Sequence, residues 1–111
     1  MKSFTKKEEQ VLLAVFRLKD RACLHTIREE IKKYAGKSYS LGTVYAPLSR
    51  LDAYGYLRSY QKENDPSQAG KPVKYYRLTD SGFHALGRLK EQMEKMWGGI
   101  VLPSYRGLKR D

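Results

Sequence analysis

The sequence predicts an α+β fold, mainly α, with three helices, a two-stranded hairpin and a long fourth helix. Three observations carry this. Ser, Thr and Gly stand where helix caps belong, around apolar residues at helical spacing. Two short alternating segments flank a tract of turn residues. A last apolar seam follows a 3-4-3 spacing.

Thr5-Lys6-Lys7-Glu8 is a capping-box signal, a hydroxyl for orphan amides with a carboxylate three residues on that reaches back. Val11, Leu12, Val15 and Leu18 then recur at helical spacing, which predicts a first helix to about Lys19. Asp20-Arg21 reads as a turn, and Ala22-Cys23-Leu24 suits a brief strand edge. Ile27, Ile31 and Tyr34 form the inner stripe of a second helix, stopped by Gly36.

Ser40 is the predicted N-cap of a third helix ending at Gly55. At about 100° per residue, Leu41, Val44, Leu48 and Leu51 fall on one side and face the core. The other side carries Gly42, Ala46, Ser49, Arg50 and Ala53, with Thr43 and Tyr45 on its flanks. Between Lys32 and Leu51 there is no acidic residue, whereas a merely solvated helix usually carries Glu and Lys. Pro47 removes the amide that would reach the Thr43 carbonyl, and a mild bend is expected there.

Tyr56 to Lys62 reads as a strand, Asn64 to Gly70 as a turn tract, and Val73 to Leu78 as the returning strand. Tyr75 and Tyr76 point to opposite faces, so one is expected beneath the sheet and the other bordering DNA, and the sequence does not say which. Thr79 caps a last helix that runs to about Trp97 and stops at Gly98-Gly99.

The 111 residues fit one domain with one modest core. Lys and Arg number 22 against 12 Asp and Glu, a formal charge of +10 that favours a polyanionic partner. The lone Cys23 excludes an intrachain disulfide and fits a reducing cytosol. Lys6 and Lys7 lead into Glu8 and Glu9 rather than an apolar run, so no signal peptide is expected. No segment nears the roughly 18 apolar residues of a membrane span. The expectation is a cytoplasmic protein without a membrane partner. His25 and His84 are far apart in sequence, and neither has Cys, Asp or Glu at metal-ligand spacing. With no phosphate-cradling glycine loop either, neither an enzyme nor a cofactor nor a metal is expected.

Three helices followed by a hairpin is the winged helix-turn-helix arrangement, in which the third helix enters the major groove. The predicted DNA contacts are Ser40, Gly42, Thr43, Tyr45, Ser49 and Arg50 on a recognition helix at about 41–54. Lys71 and Lys74 on a wing at 57–78 add phosphate contacts on the backbone or minor groove. Leu86, Leu89, Met93, Met96 and Trp97, preceded by Phe83, make a seam for a two-fold dimer. The division is thus 1–78 for DNA binding, 79–97 for dimerisation and 98–111 as a tail expected to pack partly on the dimer. A winged helix used as a protein-interaction module, without a specific DNA site, is the alternative.

At these motifs the chain resembles the PadR family of bacterial transcriptional regulators. Gly42 to Leu51 matches its Gly-Thr-x-Tyr-x-x-Leu-x-Arg-Leu stretch, Gly55-Tyr56-Leu57 its entry to the wing, and Lys74 to Gly82 its Lys-Tyr-Tyr-x-Leu-Thr-x-x-Gly run. The likeness runs from about Lys6 to Leu89. It implies a homodimeric repressor on a palindromic operator, joined through the last helix. The chain departs from the pattern at Ala46-Pro47 and at the wing tip, where Lys71-Pro72-Val73-Lys74 replaces an arginine-rich run. Some members sense drugs through an aromatic residue whose place falls on Met93, which leaves a small hydrophobic effector undecided.

Overall fold

The structure is a computed structural model that describes residues 3–62 and 72–103. Helix α1 spans Lys6–Leu18, a short 3-10 turn Lys19–Arg21, α2 Leu24–Ala35 and α3 Leu41–Ala53. Strands β1 (Leu57–Gln61) and β2 (Lys74–Leu78) follow, then α4 (Asp80–Trp97). The order and kinds of element are those the sequence predicts.

The caps explain the boundaries. Thr5 Oγ1 accepts the Glu8 amide at 3.1 Å while Glu8 Oε1 accepts the Thr5 amide at 2.8 Å, closing the capping box. Gly36 ends α2 in the left-handed region at φ 70°, where a Cβ would be strained. Ser40 caps α3 by accepting the Thr43 amide at 3.1 Å. Thr79 accepts the Gly82 amide at 3.1 Å and donates to the Gly55 carbonyl at 2.6 Å, tying the start of α4 to the end of α3.

The core gathers Val11, Leu12, Val15 and Leu18 of α1, Ile27 and Ile31 of α2, and Val44, Leu48 and Leu51 of α3 beneath Leu57 and Tyr76. Leu41, expected inside with its helix, is only partly buried at the first turn. Pro47 takes up core space instead: its ring is fully buried and α3 runs on through it without a break. Tyr34 is a clearer departure, since it stands 57% exposed. The stripe on α2 stops at Ile31, and Tyr34 lies on the rim with the Arg17 guanidinium 3.7 Å from its ring centre. Arg17 is held there by Glu30 at 3.0 Å, and this hydrogen bond is the main cause raising its pKa.

β1 and β2 pair antiparallel, with Leu57 opposite Leu78 and Tyr60 opposite Tyr75. The edge expected at Ala22-Cys23 forms a single bridge: the Tyr76 amide donates to the Ala22 carbonyl at 2.8 Å, and Cys23 lies opposite Tyr75. That bridge, with the Tyr60 ring 6.0 Å away and Lys62 Nζ 4.2 Å above the ring, covers Tyr75. Both tyrosines are therefore buried, and neither is left on the outside of the sheet.

Candidate nucleic-acid interface

The outward side of α3 is built from small residues. Gly42, Ala46, Ser49 and Ala53 are all exposed, with Tyr45 and Arg50 exposed on either flank. Val44, Pro47, Leu48 and Leu51 hold the opposite side in the core, which fixes the rotation of the helix. Gly42 has ordinary helical backbone, and a Cβ there would meet nothing within 4 Å. Nothing in the fold itself asks for glycine at that place.

Side chains from the first two helices set this surface. Arg28 Nε on α2 donates to the Tyr39 carbonyl at 2.7 Å, just ahead of the Ser40 cap, and the Tyr39 hydroxyl donates to Gln10 on α1 at 3.0 Å. Farther along, Arg50 Nε donates to Glu8 Oε2 at 3.0 Å. The Glu8 side chain is 4% exposed and that of Arg50 43%. The sequence reading placed Arg50 at the groove but did not find Glu8 or Arg28 behind it. Glu8 was legible only as a helix cap.

Ser40 and Thr43 lie at the N-terminus of α3, with their hydroxyls 2.8 Å apart. Lys74 is exposed at the start of β2, opposite Gln61. Lys71 lies outside the described residues. The Tyr76 pKa is raised by burial and then by Asp52 and Tyr45 of α3.

A second surface lies on another side of the domain. Leu86 and Leu89 of α4 pack partly on the core, whereas Met93, Met96 and Trp97 are 55, 75 and 48% exposed. The stripe thus folds back on α1 for its first half and is uncovered for its second. Between α1 and α4 runs an apolar groove of about 610 Å³ lined by Leu13, Phe16, Phe83, Leu86 and Met93. Leu13 and Phe16 escaped the sequence reading, although their i, i+3 spacing marks a second apolar face on α1. Ile100, Val101 and Leu102 are also exposed, and the remainder of the tail, Tyr105 included, is outside the described residues. Among the described residues no helix is long and apolar enough to cross a membrane, and no group of three His, Cys, Asp or Glu is placed to hold a metal.

A three-helix domain with a two-stranded wing and a small-residue face on its third helix is a winged helix-turn-helix protein of the DNA-binding regulator class. Over residues 12–88 the chain matches the Transcriptional regulator PadR-like family, and it belongs to that family. It is a regulator and not an enzyme. A PadR-like transcription factor from Bacteroides fragilis superposes with a TM-score of 0.67 at 29% identity, covering 80% of this chain and 81% of that one. A PadR family transcriptional regulator from Eggerthella lenta gives 0.63 at 29% identity, covering 80% and 75%. RosR of H. salinarum gives 0.67 over 90% and 83% at 20% identity, a likeness of fold. No curated protein matches the chain.

Proposed function

We propose that the protein is a homodimeric, sequence-specific DNA-binding repressor acting from the cytoplasm on a palindromic operator. The observation that carries this reading is the α3 face, where Gly42, Ala46 and Ser49 are exposed and Gly42 has no steric reason within its own fold. Glycine is a poorer helix former than alanine, by up to about 1 kcal/mol in a helix interior and by less in a first turn such as this one, so its presence suits a surface that another molecule approaches closely.

In this reading Gly42 and Ser49 lie against base edges, and Ser40, Thr43, Tyr45 and Arg50 serve phosphates or neighbouring bases. Lys74, together with Lys71, clamps the backbone from the wing. The segment 1–78 binds DNA and 79–97 dimerises, with part of the 98–111 tail against the pair. Leu13 and Phe16 join Leu86, Leu89, Met93, Met96 and Trp97 at the interface. Two recognition helices then stand about 34–36 Å apart, one turn of the duplex.

The test is a gel shift on the DNA upstream of its own gene at several salt concentrations, with light scattering for the assembly state. A dimer that retards this fragment over random DNA, less so as salt rises, is the expected result. Absence of a shift, or binding indifferent to sequence and salt, removes the reading in favour of a protein-interaction module.

A further inference from the structure

Glu8 does more than its cap requires. A capping box needs one carboxylate oxygen, and Glu8 Oε1 supplies it to the Thr5 amide at 2.8 Å. The second oxygen is spent 42 residues away, on Arg50 Nε at 3.0 Å. A carboxylate so deeply buried persists only when hydrogen-bonded and paired, and Glu8 is both. Arg50 is the one basic residue of α3. At about 100° per residue it lies roughly 70° from the middle of the exposed face, which is the flank and not the centre.

We propose that Glu8 is a positioning residue for the DNA contact: it holds Arg50 by Nε and leaves the terminal amino groups for a phosphate beside the α3 face. The proposal rests on the DNA-binding reading above. A guanidinium has five N–H donors, so one bond at Nε leaves four on the two terminal nitrogens. Among the described residues the Arg50 side chain makes no other ion pair or hydrogen bond, and nearly half of it is open to solvent. Freezing a long side chain before the DNA arrives removes an ordering cost from the binding step. Lysine lacks the fork and cannot hold Glu8 and a phosphate in the same fixed geometry.

The competing role is purely structural, a clasp between α1 and α3. A double-mutant cycle separates the two. Glu8→Gln keeps an oxygen for the Thr5 amide and raises the net charge by one, so Coulomb attraction alone makes it bind DNA more tightly. The proposal gives the opposite sign. On the upstream fragment, Glu8→Gln and Arg50→Ala each weaken binding about tenfold, and Glu8→Gln adds nothing once Arg50 is gone. Each single change also lowers the salt slope by about one, the signature of a lost phosphate contact.

Binding by Glu8→Gln at wild-type strength or above, or losses that multiply in the double variant, overturns the proposal while the DNA reading stands. A wild-type protein that binds no DNA overturns both. Should Glu8→Gln fail to fold, Arg50→Lys carries the test: it keeps the charge and loses the fork. The expected result is a loss close to that of Arg50→Ala, and wild-type binding overturns the proposal.

Discussion

Gly82, in the first turn of α4, backs directly onto the carbonyl oxygen of Tyr56, the residue that enters the wing. The same oxygen accepts the Thr79 amide at 3.1 Å, so at this point α4 is seated main chain to main chain on the α3–β1 turn, beside the Thr79 hydroxyl's bond to the Gly55 carbonyl. A Cβ on residue 82 collides with main chain, which cannot step aside as a side-chain tip can. Gly82→Ala is expected to cost about 1–3 kcal/mol in chemical denaturation, an overpacking penalty.

Gly42 makes the opposite case. Gly42→Ala meets nothing in the fold and gains helix propensity, so it is expected to raise stability by up to about 1 kcal/mol. Its DNA affinity is expected to fall, because the added methyl holds the helix away from the duplex. Denaturation and gel shift on one preparation check both halves. Tighter binding by this variant argues that α3 meets its partner by another face.

Met96 is 75% exposed and, among the described residues, does not belong to the core or to the hydrophobics packed against it. Met96→Asp is expected to leave the fold intact and to yield monomers in light scattering. Leu89→Asp is expected to disrupt both, since Leu89 also packs against the core. A persistent dimer in both variants moves the interface off α4.

Burial, followed by Asp52 and Tyr45, raises the Tyr76 pKa above its ordinary 10.0. Below pH 10 the phenol is protonated in folded and unfolded chains alike and stability does not depend on it. As pH rises past about 10 the unfolded chain loses this proton first, and stability falls until the folded pKa is passed. Tyr76→Phe is expected to lessen that alkaline loss in melts from about pH 9 to 11, and an unchanged slope argues against it.

The features legible in advance were local ones. Thr5, Ser40 and Thr79 cap, and Gly36 stops a helix, through chemistry that acts within a few residues. Long-range pairings were not legible. Nothing in the spacing of Glu8 and Arg50 announces their bond, because a side-chain pair across two helices has no period. Tyr34 fitted the α2 stripe, yet it ends outside because Arg17, fixed by Glu30, stacks upon it. Alternation put one of Tyr75 and Tyr76 beneath the sheet and left the other to border DNA, whereas the bridge from Ala22-Cys23 helps bury the second as well. On α3, periodicity found the small, acid-free side but not the helices that orient it.

That bridge also decides how the wing can be dissected. Through the Tyr76 amide and the Ala22 carbonyl, β2 is joined to the chain between α1 and α2, and Tyr76 belongs to the core. The hairpin is thus masonry in the domain wall as well as a clamp. Removing all of it opens the hydrophobic interior, and lost DNA binding then reports collapse. Trimming between Lys62 and Pro72 spares both strands, and that shorter excision is the surgery that isolates the wing's own share of the grip.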